Sequence, residues 1–288
     1  MENSQKNFQI RVMIAEDIAA AMKLKNLVGW NQIEADWERF LRIEPAGCFV
    51  AEMNHKIVGT GIAINYENKV GWIGMIITHP DHRGKGIGSA LLYTVKAYLS
   101  ANNVRTQKLD ATPMGFSLYK RLGFITEYDI ERRLCVEAKG VSYSNVTSLD
   151  KVSLEELYAF DALTFGVRRD RVLFNLVTEN PELSACYIDN AQKICGYILA
   201  RPGQKYFQIG PWIADTFENA SNLLNFILFR LKGKQIIMDI PSVNRQAIKL
   251  CDSHHFEFQR GFIRMYEGLN AHPDYPQKIY AISGPEKG

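Results

Sequence analysis

The chain has 288 residues, 47% of them apolar and 23% charged, and a formal net charge of +3. That length exceeds one ordinary domain and suits two, each large enough to bury a core of its own. The near-neutral balance, with no Lys/Arg block, excludes an electrostatic nucleic-acid binder, and no apolar run reaches the length of a membrane span.

Phe8 to Met13 alternates apolar and polar residues as a short strand does. Ala15-Glu16-Asp17 opens a helix that runs to about Val28. Trp30-Asn31-Gln32 breaks it, and Glu34 to Ile43 forms a second helix with Trp37, Phe40 and Leu41 on one face. Cys48 to Glu52 and Ile57 to Asn65 are strands joined by the hairpin signal Met53-Asn54-His55-Lys56. Val70 to Thr78 is a further strand. After it comes His79-Pro80-Asp81-His82-Arg83-Gly84-Lys85-Gly86-Ile87-Gly88, and then an apolar-periodic helix from Ser89 to Leu99. Leu109 to Thr112 is a short strand. Phe116 to Leu122 is helical with Gly123 as its left-handed cap, and Phe124 to Leu134 closes the series as a strand.

The strand–loop–helix around residue 84 carries the chemistry. Its glycines let backbone N–H groups approach a ligand closely. The unpaired N–H groups and dipole of the following helix favour an anion there, and Arg83 and Lys85 add positive charge. Lys85 is not followed by Ser or Thr, so the loop is not a nucleotide P-loop. The third glycine also falls one residue too early for the dinucleotide fingerprint. A glycine-rich turn without a ligand is the bland alternative. The pattern Arg-x-x-Gly-x-Gly resembles the acetyl-CoA loop of the GNAT N-acetyltransferase superfamily, with Arg83, Gly86 and Gly88 all matching.

The resemblance covers about Phe8 to Leu134. It implies an α/β (α+β) fold, a mixed and mostly antiparallel sheet flanked by helices. It implies acetyl-CoA as the acyl donor, held by backbone groups of Ile76, Ile77 and Thr78 and by Arg83, Gly84, Lys85, Gly86, Ile87, Gly88 and Ser89. Leu118-Tyr119-Lys120-Arg121-Leu122-Gly123-Phe124 looks like the family's Leu-Tyr-x-x-x-Gly-Phe, which puts Tyr119 in the place of the acid for the departing thiolate. A phenol is a plausible donor there, since with a reference pKa of ~10, above a thiol's ~8.5, it keeps its proton at neutral pH. Packing in a helix–sheet interface is the other reading of Tyr119. Asp110 is the candidate base, or else a hydrogen-bonding partner of Thr112 and the turn at Pro113. Trp30, Asn31, Glu34 and Trp37, with Asp36 and Glu38 nearby, lie where the family forms its acceptor pocket. His79 and His82 have the spacing of a metal pair, but no third ligand accompanies them, and no metal is expected.

Glu137 to Asp150 is polar and without period, a connector with room for one edge strand. Beyond it the chain repeats itself. Lys56-Ile57-Val58-Gly59 recurs as Lys193-Ile194-Cys195-Gly196, Leu91-Leu92 as Leu223-Leu224, and Leu109-Asp110 as Met238-Asp239. Gly123-Phe124 recurs as His255-Phe256, and each is followed by a basic residue, Arg132 or Arg264. The expected division is a catalytic domain over 1–136, a connector over 137–150 and a degenerate GNAT-like domain over 151–288, as in tandem GNAT proteins of the YitH-like type. The second repeat has no glycine loop, Cys251 stands at the counterpart of Tyr119, and no CoA is expected there. The arginines of Phe165-Gly166-Val167-Arg168-Arg169-Asp170-Arg171 suit an acidic group on a substrate, or belong to a solvated helix start. Ile279 to Ile282 is expected to dock as a final strand.

Five scattered cysteines without a Cys-x-x-Cys argue against a disulfide framework or zinc site and for a reducing compartment. Met1 to Lys6 has no signal-peptide core, which makes the cytoplasm the expected location. The expected activity is acetyl transfer to a primary amine, on a small molecule, by direct attack in a ternary complex. The alternatives are a non-catalytic acyl-CoA-binding or regulatory protein, and an acetyltransferase acting on protein lysine or an N-terminus. Neither nucleic acid nor membrane is an expected partner, and a homodimer stays open.

Overall fold

The computed structural model describes residues 8–288, so the amino-terminal stretch read above for a leader lies outside the described residues. The chain forms two compact units. The first runs to Lys108 and includes Lys287; the second holds Leu109–Glu286 and Gly288. No helix among the described residues is long and apolar enough to cross a membrane.

In the first unit, β1 (Gln9–Val12), β2 (Cys48–Met53), β3 (Lys56–Tyr66) and β4 (Val70–Thr78) pair antiparallel in that order. β5 (Thr106–Ala111) then joins β4 in parallel. The helices are α1 (Ile18–Leu27), α2 (Glu34–Ile43) and α3 (Ile87–Ala101). β3 is buried without interruption from Val58 to Ile64, the mark of a strand covered on both faces. Leu91 and Ile87 of α3 lie so close to Gly59 that a Cβ there would meet them at 2.8 and 3.1 Å. That close seat fixes where α3 begins. α3 starts two residues earlier than its periodicity suggests, and β5 three residues earlier than Leu109.

The second unit contains α4 (Pro113–Arg121), β6 (Ile125–Cys135), β7 (Val146–Ser148), α5 (Leu154–Phe165), α6 (Asp170–Glu179), β8 (Ser184–Ile188), β9 (Ile194–Arg201), β10 (Phe207–Ala214), α7 (Phe217–Arg230), β11 (Ile236–Pro241), α8 (Arg245–Ser253), β12 (Glu257–Gly268) and β13 (Ile279–Ala281). Its strands follow the order β12-β6-β11-β10-β9-β8-β7. All neighbours are antiparallel except β10 and β11, and β13 pairs with β10. α4 opens three residues before Phe116, because the Thr112 side chain caps it and Pro113 supplies a preset first turn. The connector does carry an edge strand, β7, and the tail docks as β13.

β6, the last strand of the first repeat, pairs on one side with β11 and on the other with β12, both from the second repeat. This is why the unit boundary falls inside β5, well before the repeat boundary. Two buried ion pairs fix the arrangement reciprocally. Arg132 on β6 grips Asp239 on β11 through two bonds of 2.7 Å. Arg264 on β12 grips Asp110 at the end of β5 through bonds of 2.8 and 2.9 Å.

Substituting Arg132→Met leaves Asp239 buried without its cation and should cost about 3–5 kcal/mol in urea unfolding. The double variant Arg132→Met/Asp239→Leu should recover most of that loss. A single variant as stable as the parent would show that the pair does not hold the strands.

Candidate functional site

Strand β4 presents an edge that its neighbour leaves open. Its parallel pairing with β5 covers only Val70, Gly71 and Trp72. Three residues later, Met75 takes φ +53°, and the β3–β4 register shifts between Thr60 and Ile62. A left-handed non-glycine residue costs about 1–3 kcal/mol and persists where the surroundings over-determine it. Here the fully buried Thr60 hydroxyl donates to the Met75 carbonyl at 2.7 Å. This bulge was not legible in the sequence; Gly74 is the only local hint. Beyond it, His79 N–H donates to Val58 O at 2.8 Å. Strand alternation turns Ile77 N–H to the same side and the N–H groups of Ile76 and Thr78 toward the open edge.

The chain then enters a short turn over Pro80–His82. Gly84 and Gly86 both sit at φ +78°, where a side chain is strained, and a Cβ on either would project into open space. These glycines therefore answer to backbone conformation and to what approaches from outside, not to packing. Gly88 lies 3.3 Å, measured from an added Cβ, from the Thr78 hydroxyl, so the loop's end rests on the end of β4. The first turn of α3 closes when Ala90 N–H donates to Gly86 O. The six preceding N–H groups, from Gly84 to Ser89, donate to no protein acceptor among the described residues. Arg83 and Lys85 are exposed at the rim, with Lys85 Nζ 3.1 Å from His82 Nδ1. Consecutive unpaired donors at a helix N-terminus, with two cations beside them, are the kind of arrangement that favours an anion.

In α4, the Tyr119 ring packs edge-on against Phe124, 5.9 Å between centroids. It also lies back over Gly115, where an added Cβ would meet Tyr119 Cε2 at 2.7 Å. Its hydroxyl makes no hydrogen bond among the described residues. Burial pushes the phenol up to about 12, because the phenolate would lose its hydration. Tyr119 is thus a protonated donor at any physiological pH. Asp110 is different. Its side chain is fully buried and both its oxygens accept from Arg264, which also donates to Asp274 and to the Tyr128 hydroxyl. Burial raises the Asp110 carboxyl to about 6, with Arg264 opposing the rise. The repeat pattern was the one signal for this pairing, since Asp110 and Asp239, like Arg264 and Arg132, occupy matching places.

The four residues expected at the acceptor pocket do not share one environment. Trp37 is fully buried, packed edge-on against Phe40 at 6.2 Å, and belongs to the core. Asn31 is buried, Trp30 is half-buried and Glu34 is exposed at the start of α2.

The second repeat reproduces this geometry and closes it. Parallel pairing of β10 with β11 again covers three residues, Phe207 to Ile209. The strand edge beyond is taken by β13, which pairs with Trp212 and Ile213. α7 begins on the Thr216 side chain without a glycine loop. Phe256 N–H donates to Cys251 O as Phe124 N–H does to Tyr119 O, so the two helices end in the same kind of turn. Cys251 is fully buried, and its thiol is pushed well up by burial. Two of the three arginines after α5 already have carboxylate partners: Arg168 pairs with Glu155 and Asp170 at the surface, and buried Arg169 pairs with Asp161.

The acetyltransferase (GNAT) family matches residues 16–124, and a second acetyltransferase (GNAT) domain pattern matches residues 157–281. The chain is 24% identical over 261 residues to the holothin acyltransferase of Pseudoalteromonas sp. (strain SANK 73390), covering 90% of this chain and 87% of the relative. A Pyrococcus horikoshii protein assigned as an acetyltransferase superposes with a TM-score of 0.83 at 24% identity, over 100% of this chain and 98% of its own. A tandem GNAT protein from the clavulanic acid biosynthesis pathway gives 0.63 at 13% identity, over 91% and 98%. Both structures share the fold.

Absorbance at 295 nm tests the Tyr119 environment. At pH 10.5 the folded protein and Tyr119→Phe should show the same phenolate signal. An excess of about half a phenolate or more in the parent would mean that Tyr119 titrates as a solvated phenol.

Proposed function

The chain belongs to the GNAT acetyltransferase family, and on that premise we propose that its first repeat binds acetyl-CoA and moves the acetyl group to a primary amine. The observation that carries this reading is the run of six unpaired N–H groups, Gly84 to Ser89, directly after a bulged strand with an open edge. In this reading the cradle holds the pyrophosphate, and Ile76 and Thr78 N–H groups hold the pantetheine arm. Tyr119 is the acid that serves the departing thiolate. Its raised pKa keeps the proton on the phenol; because a thiol, at ~8.5, is the stronger acid, complete transfer runs uphill, so the hydroxyl stabilises the nascent thiolate chiefly as a hydrogen-bond donor.

Direct attack by the amine is supported by the thiols of the chain. Burial raises all five, so none is poised as the thiolate of an acyl-enzyme. Asp110, with both oxygens committed to Arg264, serves as an anchor for that arginine, and the amine's proton leaves through water. Trp30, Asn31 and Glu34 remain the proposed acceptor contacts, while Trp37 supports them from the core. A small-molecule acceptor is supported by the relative named for holothin, which aligns along nine-tenths of the chain.

Calorimetric titration with acetyl-CoA should give one site per chain; two sites or none would overturn the assignment. Gly86→Val, which strains the loop and fills the cradle mouth, should weaken acetyl-CoA binding roughly 100-fold, about 3 kcal/mol. Unchanged affinity would remove the loop from the site. Tyr119→Phe should lower kcat roughly 100-fold with KM nearly unchanged, and an unaltered kcat would exclude it as the acid.

A further inference from the structure

The two reciprocal ion pairs of the second unit are not equivalent. Around Arg264 stand two carboxylates, Asp110 and Asp274, and the residue opposite it on β6 is Tyr128. Arg132 is bonded to one carboxylate, Asp239, with the charge of buried Glu286 also acting on it, and the residue opposite it on β12 is a second arginine, Arg260. Like charges directly opposed across an antiparallel pair destabilise it unless a counter-charge intervenes.

Asp239 makes no hydrogen bond to Arg260, although its charge partly offsets the strain there. Its Oδ1 accepts from Arg132 Nε, and its Oδ2 accepts from both Arg132 Nη2 and Gln208 Nε2, at 3.1 Å for the latter. Among the described residues, Arg260 makes neither an ion pair nor a hydrogen bond, and its Nε is shielded from solvent without an acceptor. Arg132 Nη1 likewise donates to no protein group there. Both guanidiniums lie beside one ring, Phe262, at 5.1 Å for Arg132 and 4.9 Å for Arg260. Burial, and then the charge of Arg132, push Arg260 down to about 10, so it stays protonated at neutral pH. The strand register thus holds two cations over one aromatic floor, with the N–H groups of both left over.

We propose that the Arg132–Arg260 pair is a binding site for a small oxyanion, a carboxylate or a phosphate. Guanidinium forks match the planar oxygen pair of either group, and a bound anion would compensate the surplus charge and satisfy the buried Nε. The site is built wholly from the second unit and does not depend on acetyl transfer. It gives the seam where β6 of the first repeat meets β12 of the second a binding role of its own.

The test is calorimetry of the full chain with sodium phosphate and with sodium acetate, on the parent, Arg260→Gln and Arg260→Lys. Arg260→Gln should bind about tenfold more weakly or not at all, and Arg260→Lys, which keeps the charge but loses the fork, should fall between. Binding of either anion through Arg260 supports the site, and the tighter of the two names its class. In anion-free buffer, Arg260→Gln should melt no lower than the parent, since it removes an opposed charge. Phosphate should raise the melting temperature of the parent more than that of the variant. Equal affinity and equal thermal shift in parent and both variants, or no saturable binding by the parent, would overturn the proposal.

Discussion

The second unit depends on two buried carboxylate–guanidinium pairs that cross between the repeats. Asp110 of the first repeat is held by Arg264 of the second, and Asp239 of the second by Arg132 of the first. A buried pair is weak evidence for stability, because desolvation offsets most of its attraction. It is strong evidence for register, because a one-residue slip carries each charged group to the other face and leaves its partner buried alone. The central strands β6, β11 and β12 are therefore specified by charge as well as by the apolar alternation around it.

The same strand geometry has two outcomes in one chain. In both repeats a parallel pairing of three residues ends and leaves the inner strand with an uncovered edge. On β4 that edge leads into the glycine cradle; on β10 it is covered by β13. The second repeat differs at both places: α7 starts without a glycine loop, and β13 lies along the edge of β10. Where the repeats meet, the structure is polar: two carboxylates, Asp110 and Asp274, stand around Arg264, and two arginines, Arg132 and Arg260, stand around Asp239.

Burial acts on the titratable groups in one direction and with different consequences. It holds Tyr119 protonated, which suits a donor to a thiolate. It raises the five cysteines, which removes them as nucleophiles. It raises Asp110 too, but there Arg264 occupies both oxygens and fixes the group in place.

For the first repeat the sequence alone determined the elements and their kinds, because apolar period, caps and glycines are local properties. It placed the glycine loop at Arg83–Ser89, the capped helix of Tyr119 and the lack of such a loop in the second repeat. The repeat was visible as an ordered series of small matches. Only the tertiary structure decided the partners. That Asp110 meets Arg264, that Trp37 is core and not pocket wall, that Arg168 and Arg169 are already paired, and that β6 lies between β11 and β12 all follow from contacts between residues far apart in the chain. The bulge at Met75 is of the same kind, since Thr60 on the neighbouring strand holds it. Local sequence encodes conformation and periodicity; it carries no record of which distant side chain will satisfy a buried charge.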